Sequence, residues 1–548
     1  MDCYLTIPLS HFVLVLMKSN PPNWSRTFNN VCLFLFAILA TSHVCFSEIK
    51  TPAVIGNNMV LQQNHKNPIW GWDNPGESVI VKIAGQSHKT KTDSNGYWEI
   101  TLDPMKASTS PKKMTIQGSS PLTYENILIG EVWLCSGQSN MGWALGNSDD
   151  ADLEIMTANY PNLRLISVPQ VGTQEAQINF NGRWETTTPE AAKNFSAVGY
   201  LFGRRLHLAL GVPVGLIDNA WGGSACEAWI PRDRLNKLPV AKPYMDQWRE
   251  TEKTFDYNKL LATYEEKLKK WQEKSQTARK EGKPQPGGRP RAPRNQLTGQ
   301  HRPANLYNGV LNPIIGYGIK GAIWYQGESN GRRGHAYREV FPLMIQSWRD
   351  AWKQGDFSFY WVQLADFMNE VPEPPTEQTW PELREAQTLS LDKLKNVGEA
   401  VIIDVGEGRD IHPRNKQMVA NRLVRNALAQ DYGMDIPHKS PRFQSMETKG
   451  NKIVLTFNHV GKGLYCFDIR EPVGFSICGK DRKFVWANAK LLGQNKVEVW
   501  AEGIENPVAA RYAWADNPVC NLYRKDGSVT LPVTPFRTDD FPMITKGM

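Results

Sequence analysis

Short apolar runs alternating with stripes at helical spacing constrain this chain more than any other feature between residues 126 and 438. The runs cover residues 131–135, 212–217, 319–325, 357–364 and 400–404. Among them lie stripes with a period near that of an α-helix: Val198, Leu201, Phe202, Leu206 and Ala209; Tyr337, Phe341, Ile345, Trp348 and Trp352; Val419, Leu423 and Ala427. An unbroken apolar run of this length suits a strand buried on both faces, and parallel strands need a crossover helix between them. The pattern predicts an α/β domain, a parallel sheet with helices packed over it.

The flanks differ in texture. Within 48–125, Val79, Val81 and Ile83 alternate, as do Trp98, Ile100 and Leu102, with turn sequences at Asn74-Pro75-Gly76 and Ser94-Asn95-Gly96. Alternation of this kind predicts a small N-terminal β-domain. Within 439–548 it returns at Ile453, Leu455 and Phe457 and at Val497 and Val499, predicting a C-terminal β-rich accessory region. Residues 240–304 interrupt the α/β rhythm. There Leu260, Tyr264, Leu268 and Trp271 predict one charged helix that dissolves into Lys283-Pro284-Gln285-Pro286-Gly287-Gly288, an insertion of the kind that forms lids. A chain of 548 residues exceeds one ordinary core, in keeping with this division.

Composition narrows the class. Apolar content of 41% and charged content of 22% are those of a globular protein. Much of the net charge of +8 sits between Arg279 and Arg302 among Pro and Gly, a solvated loop with no base-reading motif, so no nucleic-acid partner is expected. Residues 1–47 read as a targeting segment. Arg26 precedes the apolar stretch 31–40, which gives way to small and polar residues near Ser47, and the stretch is too short to span a bilayer. Export after cleavage near Ser47 is expected, with Met17 an alternative start and Cys45 set in a poor lipobox. Beyond it, Cys135, Cys226, Cys466, Cys478 and Cys520 make no disulfide framework, although Cys466 and Cys478 are placed to pair. No zinc-ligand spacing occurs. Most of the 19 Trp are expected in packing roles, with exposed rings suited to sugar faces.

Where the run 131–135 stops, the chain continues Gly137-Gln138-Ser139-Asn140-Met141. A serine on a turn at the carboxyl end of a parallel strand stands where open α/β sheets present their chemistry. Ser139 suits a nucleophile, provided a base takes its proton, and equally a polar turn residue or helix N-cap. Ser136, nearer the strand, is the rival hydroxyl. His412, in the polar loop after run 400–404, is the candidate base, with Asp410, Asp404 and Glu407 competing to orient it. Gln326, closing run 319–325, offers a carboxamide N–H to an oxyanion, and Gly222-Gly223 offers a backbone N–H; one such donor typically contributes ~3 kcal/mol. Together these residues make a hydrolase the leading reading.

The stretches 133–141, Trp221-Gly222-Gly223-Ser224, 324–330 and Asp410-Ile411-His412-Pro413 resemble those of the sialate O-acetylesterase family, among the SGNH-type carbohydrate esterases. The resemblance covers most of the mature chain, including 58–63, Trp348-Arg349, 362–365, 511–514 and 535–538. It implies an SGNH-hydrolase-like α/β fold and a serine esterase that removes O-acetyl groups from sialic acids or related sugars, without metal or cofactor. By position it makes Ser139 the nucleophile and His412 the base. The amides of Ser139 and Gly223 and the side chain of Gln326 form the oxyanion hole. Gln138, Asn140, Trp221, Gly222, Glu328 and Asn330 stand close enough to hold substrate or brace the site. The broader group often carries an acid three residues before the histidine, where this chain has Arg409. Either Asp410 orients the ring or a backbone carbonyl does so in a Ser–His pair. A polysaccharide deacetylase acting on xylan or pectin, and a carbohydrate-binding protein on an esterase scaffold, are the alternative functions.

Overall fold

Six parallel strands and an antiparallel edge strand lie in the order Val397–Ala400, Ser358–Val362, Gly321–Tyr325, Pro121–Gly137, Val214–Asp218, Tyr160–Ser167 and Glu185–Thr187. This computed structural model describes residues 48–374, 377–527 and 529–548; the expected targeting segment, Met17 and Cys45 lie outside the described residues. From the central strand the chain runs out to Tyr160–Ser167, returns through Val214–Asp218, then crosses to Gly321–Tyr325 on the other side. Such a reversal opens a crevice at the carboxyl ends of the strands around it.

Period-two alternation explains why both faces are covered. In Ser358–Val362, Phe359 and Trp361 face helix Gly334–Trp352, where Phe341 meets them edge-on at 6.3 and 5.3 Å. Tyr360, between them, stacks on Trp133 at 5.8 Å, and Trp133 meets Phe202 of helix Ala197–Leu210 on the opposite face. Burying each such ring stabilises the fold by about 2–3 kcal/mol.

The central strand is 17 residues long and runs through position 125 without a break. Its first half pairs with Ser108–Gln117 and Val60–Gln62, and its second half lies in the parallel sheet. Gln62 seals the junction. Its side-chain Oε1 accepts from the Val132 N–H at 2.8 Å, and its Nε2 donates to Glu131 at 2.9 Å. One hydrophobic core accordingly extends from Ile49 to Leu428.

A second core gathers Ile453, Leu455, Phe457, Phe475, Ile477, Val497, Val499 and Tyr512 from the C-terminal antiparallel sheets. It also takes Val401 and Ile403, while Ile402 between them faces the first core. This corrects the strand expected over 400–404. The strand is Val397–Ala400, and the apolar run continues past it because its side chains alternate between two cores. Cys466 and Cys478 lie in separate sheets as free thiols, contrary to their expected pairing.

The insertion holds two long helices, Lys242–Thr254 and Tyr257–Lys280, where one was expected. The stripe at Leu260, Tyr264, Leu268 and Trp271 is only partly covered, with Leu260 42% exposed. Ser275 and Ala278, near the end of the second helix, are its buried positions.

Candidate active site

Backbone geometry puts Ser139 on a turn at the carboxyl end of the central strand. Gly137 ends the central strand with φ +138°, and a Cβ there would stand 2.2 Å from the Tyr325 carbonyl oxygen, so only glycine lets the chain turn so close to its neighbour. The turn closes when Gln138 N–H donates to that carbonyl at 2.9 Å and Met141 N–H donates to Gln138 O at 3.0 Å. Ser139 is half-buried, whereas the Ser136 hydroxyl is buried with no hydrogen-bond partner among the described residues. Ser139 is therefore the serine a solvent-borne molecule can meet.

His412 reaches Ser139 from the loop before helix Lys416–Gln430, with Nε2 2.8 Å from Oγ. Its Nδ1 faces Asp410 Oδ1 at 3.4 Å, and the same carboxylate oxygen accepts the His412 backbone N–H at 2.9 Å. The competing acids are engaged elsewhere. Asp404 is paired with Arg422 at 2.5 and 2.8 Å, and Glu407 with Arg414 at 3.1 Å. Burial holds the His412 pKa below 6.5, opposed by Asp410 and reinforced by the Lys416 charge. The shift favours the neutral imidazole, the form able to accept a proton.

The Gly222 backbone lies against the serine, since a Cβ there would stand 3.5 Å from Ser139 Cβ. Gly223 follows with φ +70°. The N–H groups of Ser139, Gly222 and Gly223 have no hydrogen-bond partner among the described residues, so donors are available beside Oγ. Trp221 fixes this segment by donating its N–H to Gly137 O at 3.0 Å.

Gln326 behaves differently from its sequence-based expectation. Its Nε2 donates to Ser224 O at 3.0 Å and to Asn330 Oδ1 at 2.8 Å, and its Oε1 accepts from Tyr337 at 2.8 Å. With both amide protons engaged and the side chain fully buried, it reaches an oxyanion only by giving up one of these bonds. Asn330 is likewise a brace, accepting from Cys226 N–H at 2.9 Å and donating to Glu227 at 2.9 Å. Gln138 is buried and accepts the Ser329 N–H at 3.4 Å. Asn140 and Glu328 are joined at 2.6 Å beneath the serine turn.

Three residues at the site escaped sequence reasoning. Trp143 stacks on the His412 ring with centroids 4.9 Å apart and planes 16° apart. An aromatic in a polar turn just after the serine was the available signal. Lys416 sits fully buried beside Asn140, with nothing in its sequence context to distinguish it from a surface lysine. Gln300, from the insertion, places Nε2 3.3 Å from where a Cβ on Gly223 would stand, so the insertion does border the site.

No family model matches the chain. Sialate O-acetylesterases from Mus musculus and Homo sapiens are 29% and 28% identical to it, over 92% and 88% of this chain and 97% and 91% of theirs. A crystal structure of a carbohydrate acetylesterase from Xanthomonas citri superposes with TM-score 0.75 and 32% identity, covering 90% of this chain and 100% of that one. Likeness at that level, end to end and in sequence as well as fold, places the chain in the sialate O-acetylesterase family of carbohydrate esterases.

Proposed function

We propose that the chain is a serine esterase that removes O-acetyl groups from carbohydrates through an acetyl-enzyme on Ser139. The observation that carries this is the Ser139 Oγ–His412 Nε2 approach at 2.8 Å, with Asp410 behind the ring. Oγ attacks the acetyl carbonyl carbon as its proton passes to Nε2, and the carbonyl electrons move onto oxygen. The amides of Ser139 and Gly223 receive that oxyanion, with the Gly222 amide beside them. As the intermediate collapses, the imidazolium returns its proton to the departing sugar oxygen. Water then enters, loses a proton to His412 and releases acetate by the reverse sequence.

The two named mammalian relatives support sialic acids as the sugars. Acetate release from O-acetylated sialic acid should exceed that from acetylated xylan, and the opposite ranking would make the chain a polysaccharide deacetylase. Replacing Ser139 by Ala should lower kcat by about 10³-fold or more, since the residual rate relies on binding and the oxyanion donors alone. Ordinary turnover of 4-nitrophenyl acetate by that variant would remove Ser139 from the mechanism.

Two further readings accompany this one. The separate C-terminal core supports treating 439–548 as an accessory β-region, and the pattern of Arg26, the apolar stretch and Ser47 supports export. N-terminal sequencing of the protein recovered outside the cytoplasm should begin near residue 48; an intact N-terminus in the cytoplasmic fraction would overturn export.

A further inference from the structure

Lys416 occupies a place where physics disfavours an ammonium group. Its side chain is fully buried, and it opens helix Lys416–Gln430, at the end whose exposed N–H groups carry partial positive charge. The helix is capped by Asn415, whose side chain accepts the Met418 N–H at 3.0 Å, so Lys416 has no capping duty. Its Nζ instead donates to Asn140 Oδ1 at 2.5 Å and lies 5.3 Å from the Tyr325 ring centre and 5.8 Å from that of Trp143.

Asn140 turns this contact into a three-way joint. Its Nδ2 donates to Glu328 Oε1 at 2.6 Å and to the Ile411 carbonyl at 3.0 Å. Asn140 follows Ser139, Ile411 precedes His412, and Glu328 belongs to the loop after Gly321–Tyr325. One carboxamide, polarised by a cation at its oxygen and an anion at its nitrogen, thus holds three loops at one point. Trp143, beside the ammonium, is also the ring stacked on His412. Glu328 Oε2 is buried and has no hydrogen-bond partner among the described residues; burial pushes the Glu328 pKa up, opposed by the backbone at Glu328 and Gly327, the Asn140 amide and the Lys416 charge.

We propose that Lys416 is a positioning residue: its ammonium, through Asn140 and against Glu328, locks the serine turn to the histidine loop in the reactive alignment. This rests on Ser139 and His412 being the reacting pair. Polarising the Asn140 amide strengthens both of its donated bonds, and the bond to Ile411 O sets the height of the imidazole over Ser139. The joint works only while Lys416 is charged. Burial pulls its pKa down to about 7, against the upward pull of Glu328, Glu407 and Asp410, and His412 is the facing group that would itself become cationic in acid. Below that value the joint is intact. Above it the neutral amine donates weakly and alignment loosens, giving turnover a descending alkaline limb.

The experiment compares Lys416→Met and Glu328→Gln with the wild type in the full chain. It follows acetate release across pH, labelling of Ser139 by an active-site-directed organophosphate, and circular dichroism. Folded Lys416→Met should lose about 10²-fold in kcat, with labelling slowed in parallel and KM held within about threefold, because Lys416 aligns the reacting atoms without touching substrate. In Glu328→Gln the alkaline limb should move to lower pH, because removing the anion makes the ammonium easier to deprotonate. The proposal is overturned if Lys416→Met keeps wild-type kcat and labelling, or if the Glu328→Gln limb stays in place. Should Lys416→Met not fold, the Glu328→Gln limb decides alone. Failure of the wild-type chain to label at Ser139 is a different result, which removes the nucleophile reading and this proposal with it.

Discussion

At the scale of single residues, the environment of His412 biases it toward the neutral imidazole and places Asp410 beside the ring. The neutral imidazole is the reactive form, and burial keeps its pKa below 6.5, so kcat/KM should fall only as pH drops through that lowered value. Asp410 is the group that raises the His412 pKa, so Asp410→Asn should displace the acidic limb to still lower pH. The same change weakens ring orientation and imidazolium stabilisation. A loss of about 10–100-fold in kcat is expected, below the largest effects of such acids because Asp410 is 53% exposed and 3.4 Å away. A kcat/KM profile through the acidic range checks both effects. An Asp410→Asn profile that overlays the wild type would give the orienting role to a backbone carbonyl.

Among the elements, the insertion has the largest gap between its sequence pattern and its use. Helix Tyr257–Lys280 contributes little to the core, but the segment after it returns Gln300 to the glycine pair beside Ser139. The Gln300 carbonyl accepts the Ala225 N–H at 3.3 Å, so the backbone there is fixed while the carboxamide remains beside the site. A polar side chain so placed suits contact with a sugar hydroxyl in ground state and transition state alike. Gln300→Ala should therefore raise KM by about 3–10-fold with little change in kcat, the sign of uniform binding. Michaelis–Menten analysis on an acetylated sugar tests this, and an unchanged KM would make the insertion a bystander to catalysis.

Across the whole molecule, buried polar side chains join regions that hydrophobic packing keeps separate. Arg384, fully buried in helix Trp380–Leu389, donates to the carbonyls of Leu364 and Ala365 after the sheet strand Ser358–Val362. It also donates to those of Ala515 and Asp516 in the C-terminal region, at 2.6 and 2.7 Å. Burial lowers its pKa to about 10, which leaves it charged at pH 7. Arg384→Leu would strand several buried carbonyls, so a loss of about 3 kcal/mol or more is expected, read as a lower urea midpoint. An unchanged midpoint would show that other contacts hold the two cores together.

What the sequence determined by itself was local or periodic. Apolar runs and helical stripes revealed the parallel sheet, because burial on both faces of a strand and on one face of a helix leaves a pattern within a few neighbouring residues. The abrupt end of one run at Gly137 put Ser139 on a turn, and the loop after another brought His412 forward. Tertiary structure decided whatever depends on registering segments far apart in the chain. Ser139 and His412, separated by 273 positions, meet only because the central strand and the His412 loop converge on one end of the sheet. The same convergence placed Asp410 beside the His412 ring and left Asp404 with Arg422 and Glu407 with Arg414. It engaged both amide protons of Gln326 away from the serine and continued one core through position 125. It also buried Lys416, a residue that no local pattern separates from a lysine in water, because charge and burial become informative only once the neighbours are in place.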